Sequence, residues 1–267
     1  MEKISRKSFV KGALGLGAVG ILAGCASSAS STAASASSTA APAEKKEFTF
    51  ADTVRWDAQY DVVVMGMGAA GMVAAKTAAD NGAKVVIVEK CEEGKAGGNT
   101  KVCGQLFAYA NGDKDAAKSY YTALAGGRDI EPEIIDAISE GVANMADILA
   151  DEFGFNKDEY MDWTGVNVGG TNMGAMSPEY PEMPGHEKMA LWTTHKGASD
   201  GYLYQGLKQN VTDRVDAIDV WYSSPAKSLI QDPVTKTVVG VTVERDGKEM
   251  NIRALNGVCI CTGGFEC

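Results

Sequence analysis

Apolar residues along this chain fall into short solid runs separated by an Ala-rich stretch and, later, by alternating segments. Tyr60 to Met65 is a brief apolar β run of the kind that suits a strand buried on both faces. Ala69 to Asp80 follows as an Ala-rich helix, closed by Asn81-Gly82. Lys84 to Val88 is a second apolar run, ending in Glu89. The three together predict a βαβ unit of about thirty residues. Helices are expected near Asp115 to Leu124 and over Glu131 to Glu152, the second with Pro132 in its first turn. Asn156 to Lys196 carries Gly, Met, Pro and Trp without a clear period and reads mostly as loop. Ser199 to Thr212 turns helical again. Three strands then follow, Ala226 to Gln231, Thr237 to Glu244 and Glu249 to Ala254, with Asp246-Gly247 as a hairpin signal. Gly257 to Cys261 is a fully apolar run that leads into Thr262-Gly263-Gly264.

The first 25 residues read as an address. Lys3, Arg6, Lys7 and Lys11 form a basic start, and Gly12 to Gly24 an apolar stretch too short to span a bilayer comfortably. Leu22-Ala23-Gly24-Cys25 has the form of a lipobox, with Cys25 as the lipidated first residue of the mature chain. Ser5 to Lys11 resembles a twin-arginine export signal in which Lys7 stands for the second arginine, a route that exports proteins already folded around a cofactor. Residues 26–55 form a linker that begins almost entirely as Ser, Ala and Thr, too poor in apolar surface to offset its ordering entropy. The folded domain is therefore placed at residues 56–267, with part of a substrate-capping region around 130–200.

Charge narrows the partners. The 267 residues carry a formal net charge of −10, and cleavage before Cys25 removes four basic residues against one acidic. No basic stripe follows Lys11, so nucleic acid is excluded as a partner. The expected object is an acidic body that meets the membrane through a lipid anchor at Cys25 and lies on the extracytoplasmic side.

Candidate chemistry begins at Gly66-Met67-Gly68-Ala69-Ala70-Gly71, a GxGxxG between a strand and a helix. The first glycine permits the tight turn, the second lets backbone approach a pyrophosphate, and the third lets helix pack on strand. The helix N-terminus offers N–H groups and partial positive charge to phosphates. Glu89, 23 residues after Gly66, ends the second strand, where a carboxylate accepts ribose hydroxyls and disfavours a 2′-phosphate. Gly97-Gly98-Asn99-Thr100, with Gly104 beyond, supplies a second Gly-rich loop. Small residues there let more backbone reach a long dinucleotide, and Asn99 and Thr100 are placed to hydrogen-bond its phosphates or flavin.

These three motifs, DVVVMGMGAAGMVAAKTAADNGAKVVIVEK, AGGNTKVCG and the meander closing on VCICTGGFE, resemble the fumarate reductase and succinate dehydrogenase flavoprotein family. Its exported single-subunit members include fumarate reductases, urocanate reductases and related 3-ketosteroid dehydrogenases. The resemblance implies FAD as cofactor. Gly66, Gly68, Ala69, Ala70 and Gly71 would line the pyrophosphate, with Glu89 and Lys90 at the adenosine ribose. Gly97, Gly98, Asn99, Thr100 and Gly104 would lie along the pyrophosphate and flavin, Ala226 would offer backbone to adenine, and Thr262, Gly263 and Gly264 would close over the cofactor. In such relatives the substrate-binding His and proton-delivering Arg follow the TGGF motif. The expectation is thus a chain truncated before its catalytic half, with no catalytic residue of its own and an unpaired strand near Cys261 that makes it prone to aggregate.

The remaining candidates are weaker. His186 and His195 are nine apart without ligand-spaced partners, so no metal is expected. His195 either faces substrate or is an ordinary loop histidine. No CxxCH occurs, so electrons must come from a separate donor. Cys259 and Cys261 share one face of a strand as small apolar residues. A Cys91–Cys103 disulfide is conceivable in an oxidising compartment. Arg128 and Arg214 read as surface salt-bridge residues, and the Met and Trp residues of 161–192 either roof a substrate cavity or pack a core. The overall expectation is an α/β, Rossmann-like FAD domain with a parallel central sheet and a three-stranded β-meander. Its predicted reaction is reduction of an activated C=C bond of a small unsaturated acid, by hydride transfer from flavin N5. A 3-ketosteroid dehydrogenase is the enzymatic alternative, and an inactive ligand-binding lipoprotein the other.

Overall fold

The structure is a computed structural model that describes residues 48–264, apart from 165–166, 169–170, 173–179 and 197–200. The export segment, the lipobox at Cys25 and most of the linker lie outside the described residues. Two units are distinguished, Met1–Val54 and Arg55–Cys267. In the first, a 3-10 turn at Phe50–Thr53 is held by Asp52, whose carboxylate accepts from the Thr49 amide and hydroxyl, each at 2.9 Å.

The second unit is built on β1 (Ala58–Met65), α1 (Ala69–Asp80) and β2 (Val85–Val88). The chain then leaves the sheet through α2 (Gly98–Val102), β3 (Leu106–Tyr109), α3 (Lys114–Leu124), α4 (Pro132–Ala143) and α5 (Met145–Phe153). Short strands follow: β4 (Met161–Asp162), β5 (Asn167–Val168), β6 (Thr171–Asn172) and β7 (Ala190–Thr193). The chain returns through α6 (Tyr202–Thr212) to β8 (Ile218–Trp221), β9 (Ala226–Gln231), β10 (Val238–Arg245) and β11 (Lys248–Ile260). The central sheet has the order β8-β2-β1-β11-β10-β9, and its first three pairings are parallel. This is the expected α/β architecture, with the meander β9-β10-β11 antiparallel at one side.

Period-2 alternation in the parallel strands fills two cores at once. Val62, Val64, Val85, Ile87 and Ile218 point to one face, where Met72 and Ala75 of α1, Leu149 and Phe153 of α5, and Leu207 and Val211 of α6 cover them. Val63, Val86 and Val88 point to the other, against Val241, Val243, Ile252 and Ala254 of the meander. Asp246 and Gly247 both take positive φ, as the hairpin signal requires.

Three expectations need correction, and one strand goes beyond them. The single helix over Glu131–Glu152 is two, because the Asn144 side-chain amide turns back to the Glu140 carbonyl at 3.0 Å and diverts the backbone there. The supposed loop at 156–196 contributes β4 and β7, which join β3 in a three-stranded antiparallel sheet. The runs Glu249–Ala254 and Gly257–Cys261 are one continuous strand, β11. It pairs with β10 up to Arg253 and with β1 as far as Ile260, across a register shift. Finally, β8 extends the parallel side and had not been foreseen.

Of the described Met and Trp residues of 161–192, Trp163, Met183, Met189 and Trp192 pack into cores. Met183 and Met189 belong to a satellite core under α3 and α4, and the buried Trp163 indole donates to Thr193 Oγ1 at 2.9 Å. Met173 and Met176 lie outside the described residues. Cys91 and Cys103 are both free thiols, so the disulfide is absent. Cys259 and Cys261 pack on the helix-side core. Arg214 pairs with Asp80, while Arg128 is simply exposed.

Candidate FAD-binding cleft

At the carboxyl ends of β1, β2 and β11 the chain directions diverge. Such a switch point in an open α/β sheet leaves a crevice. A cleft of about 650 Å³ opens there, within the usual range for a small-molecule site. Its floor is the turn Met65 to Ala70, one wall runs from Val88 to Cys91, and another is formed by Gly98, Asn99 and Thr100. Pro225 and Ala226 lie at one end, with Ile260 to Gly263 alongside.

The glycine turn is held by sterics that only glycine satisfies. A Cβ at Gly66, whose φ is +98°, would sit 2.5 Å from the Cys261 carbonyl oxygen. One at Gly71 would sit 2.0 Å from the Gly66 carbonyl oxygen, so this glycine permits the helix to lie against the turn. Gly68 differs: its missing Cβ meets nothing closer than 3.8 Å. It therefore leaves open space at the mouth of α1, as a cradle for a bulky phosphate group requires.

Glu89 is 7% exposed and locks the turn from below. Its carboxylate accepts from the Met67 amide at 2.8 Å and the Cys91 amide at 2.9 Å, one on each oxygen. Each oxygen keeps a further lone pair, and Glu89 is among the residues that line the cleft. Thr100 reaches across as well, its hydroxyl accepting from the Ala69 amide at 2.9 Å. That amide, expected to serve phosphate, is thus already engaged, although the Thr100 hydroxyl proton remains available as a donor.

Of the residues singled out from sequence, Gly66, Gly68, Ala69, Ala70, Glu89, Lys90, Gly98, Asn99, Thr100, Ala226, Thr262 and Gly263 line this one cleft. Gly71, Gly97, Gly104 and Gly264 are not in its lining. Gly97, at φ +120°, lies under the Tyr204 ring, where a Cβ would come within 2.4 Å of Cε2. Sequence reasoning passed over Cys91, Lys95 and Pro225, each one or a few residues from a chosen position. Burial, and then the Glu89 charge, pushes the Cys91 thiol above its ordinary range, and burial does the same to Cys261. Neither is an activated nucleophile. His195 lies outside the cleft lining, edge-on to the Tyr202 ring at 4.2 Å. Among the described residues no group of three or more His, Cys, Asp or Glu is arranged to hold a metal, and no helix is long and apolar enough to cross a membrane.

Residues 61–267 match the family described as the FAD binding domain. The chain belongs to that family. FAD is accordingly its cofactor, and the cleft fits it: open backbone at a helix mouth for phosphates, a buried carboxylate for ribose, and a second small-residue wall. Among curated relatives, the NADH:fumarate oxidoreductase of Klebsiella pneumoniae is 30% identical over 217 residues, covering 78% of this chain and 20% of that protein. The fumarate reductase (cytochrome) of Shewanella frigidimarina is 29% identical over 77% of this chain and 33% of its own length. The chain thus spans well under half the length of these relatives. In fold it is similar to the 3-ketosteroid delta1-dehydrogenase of Sterolibacterium denitrificans, with a TM-score of 0.63 at 20% identity, covering 78% of this chain and 48% of that one.

Proposed function

We propose that this chain is the FAD-holding part of an exported oxidoreductase that reduces an activated C=C bond of a small unsaturated acid. The observation that carries the reading is the cleft at the switch point, where the glycine turn, the Glu89 carboxylate and the Asn99–Thr100 wall converge. Similarity to the two fumarate-reducing relatives supports the choice of substrate class. Bound FAD supplies two-electron hydride chemistry.

In this reading the chain's own residues bind and orient. Gly66, Gly68 and Ala70 present backbone to the pyrophosphate, and Glu89 accepts the ribose hydroxyls with Lys90 beside it. Gly98, Asn99 and Thr100 form the facing wall, Ala226 meets the adenine, and Thr262 with Gly263 closes over the flavin side. Gly71 serves the packing of α1 on the turn and Gly97 the close approach of the Tyr204 ring instead. No residue is assigned to proton transfer, and electrons arrive from a separate donor. Cys25 carries the lipid that tethers the body on the extracytoplasmic side, with residues 26–55 as linker.

A second reading, dehydrogenation of a 3-ketosteroid, is favoured by the fold match and by curated 3-oxosteroid 1-dehydrogenases at 40% identity over 86 residues. The mature chain purified with FAD tests the first step. Yellow colour surviving gel filtration supports the cofactor reading, and a colourless product overturns it. In a chain that also supplies the substrate-binding and proton-delivering residues, reoxidation of the reduced flavin by fumarate-like acids, but not by steroid dienones, then favours the acid over the steroid. Release from the membrane fraction on Cys25→Ala substitution checks the anchor.

A further inference from the structure

Among the described non-glycine residues at positive φ, Gln105 alone is buried. It is 2% exposed, and it holds φ at +60°, a left-handed conformation that costs a residue bearing a Cβ. A buried strained glutamine persists only where its surroundings determine it. Here both protons of its amide nitrogen and its oxygen are engaged. Nε2 donates to the Thr100 carbonyl at 2.7 Å and the Cys103 carbonyl at 3.1 Å. Oε1 accepts from the Tyr204 backbone amide at 3.1 Å.

Those partners are the loose ends of two helices. Thr100 and Cys103 lie at the carboxyl end of α2, where carbonyls lack intrahelical partners. Tyr204 is the third residue of α6, where an amide lacks one, and the N-cap Gly201 has no side chain to serve it. One side chain therefore caps α2 and α6 together, across 99 residues of sequence. Tyr204 adds a second tie, its hydroxyl donating to the Ala96 carbonyl at 3.0 Å while its ring covers Gly97. The path continues from α2 through the Thr100 hydroxyl to the Ala69 amide in the first turn of α1.

We infer that Gln105 is a positioning residue for FAD: it fixes the Gly98–Thr100 wall against the glycine turn and couples that wall to α6. The inference rests on the cofactor reading above. Removing the side chain leaves the buried Tyr204 amide without its acceptor, takes a part-buried donor from the Thr100 and Cys103 carbonyls, and frees the wall to move relative to α1. FAD then binds to a cleft that it must first order.

The test compares the full-length chain with Gln105→Gly and Gln105→Glu. Glycine keeps the left-handed backbone without strain but makes none of the three bonds. Glutamate keeps size and the bond from Tyr204, and loses both donors. FAD titrated by fluorescence quenching should bind each variant at least about tenfold more weakly than the parent chain. Apo melting should shift by only a few degrees, and the visible spectrum of bound flavin should change. Hydrogen exchange of the apo chain should quicken at Tyr204 in Gln105→Gly and at Ala69 in both variants, while β1 and β2 stay protected. Equal FAD affinity in all three chains overturns the proposal, as does unchanged exchange at Ala69. A variant that loses protection everywhere shows a merely structural residue and also overturns it. If the parent chain itself takes up no FAD, the cofactor reading fails, and the exchange arm alone decides the link between α6 and the glycine turn.

Discussion

Glu89 shows how one side chain is asked to do two jobs. Its oxygens already hold the Met67 and Cys91 amides, so it stiffens the turn before any ribose arrives. Glu89→Gln would point an NH2 at one of those amides, donor against donor in a buried place. The expected result is a loss of about 1–3 kcal/mol in stability, read by denaturant unfolding, and FAD affinity at least tenfold weaker by titration. Gly71→Ala tests the other side of the turn. Its Cβ would overlap the Gly66 carbonyl, a backbone atom that cannot move away cheaply. Destabilisation of about 3 kcal/mol or more is expected, with loss of FAD uptake. A viable Gly71→Ala chain of unchanged stability would contradict the packing described.

Elements were legible where their signals are local. α1 occupies the residues its Ala-rich pattern marked, and Asp246-Gly247 makes its hairpin. What could not be read were relations between distant segments. β8 is four residues long and sits among Asp and Arg, so nothing nearby announces a strand; only pairing with β2 makes it one. β3 and β7 likewise define each other across more than eighty residues. The tie between α1 and the turn after α6 is of the same kind. Asp80 accepts two bonds from the Arg214 guanidinium, at 2.6 and 3.2 Å, and also meets Lys76 at 2.8 Å. The Arg214 bond is the main cause holding its carboxyl below the ordinary carboxylate range, with Lys76 adding to it. The unfolded chain therefore binds the extra proton at acid pH. This stabilisation is present above the ordinary Asp range and is lost as pH falls through the depressed folded value. Since Asp80 is more than a third exposed, solvent screening limits it to about 0.5–1 kcal/mol. Asp80→Asn should flatten the acid limb of a stability-versus-pH curve and leave the neutral-to-alkaline limb parallel to the parent.

At the scale of the whole molecule, the cleft's chemistry was legible and its carpentry was not. The motif residues were found because glycines and a carboxylate at fixed spacing have few other uses. Gln105 and Tyr204 escaped notice because a capping role across a hundred residues leaves no local trace. The sheet also has an uncovered border. β11 beyond Arg253 pairs with β1 alone among the described strands, and Leu255 and Ile260 are exposed there. An unpaired apolar edge recruits other chains. Light scattering of the chain with FAD present should show concentration-dependent association, and Leu255→Lys should lower it.

The double membership of β11 governs when the cleft can exist at all. β1 emerges early, yet the strand that flanks it and carries Cys261 against Gly66 lies some 190 residues later. At about 5–20 residues per second, β1 waits on the order of 10–40 s on the ribosome for that neighbour. During this time its free border is open to pairing with other strands. The pocket cannot trap its cofactor co-translationally while the glycine turn lacks that flanking strand. Cofactor capture is therefore a late checkpoint, reporting that synthesis has passed β11.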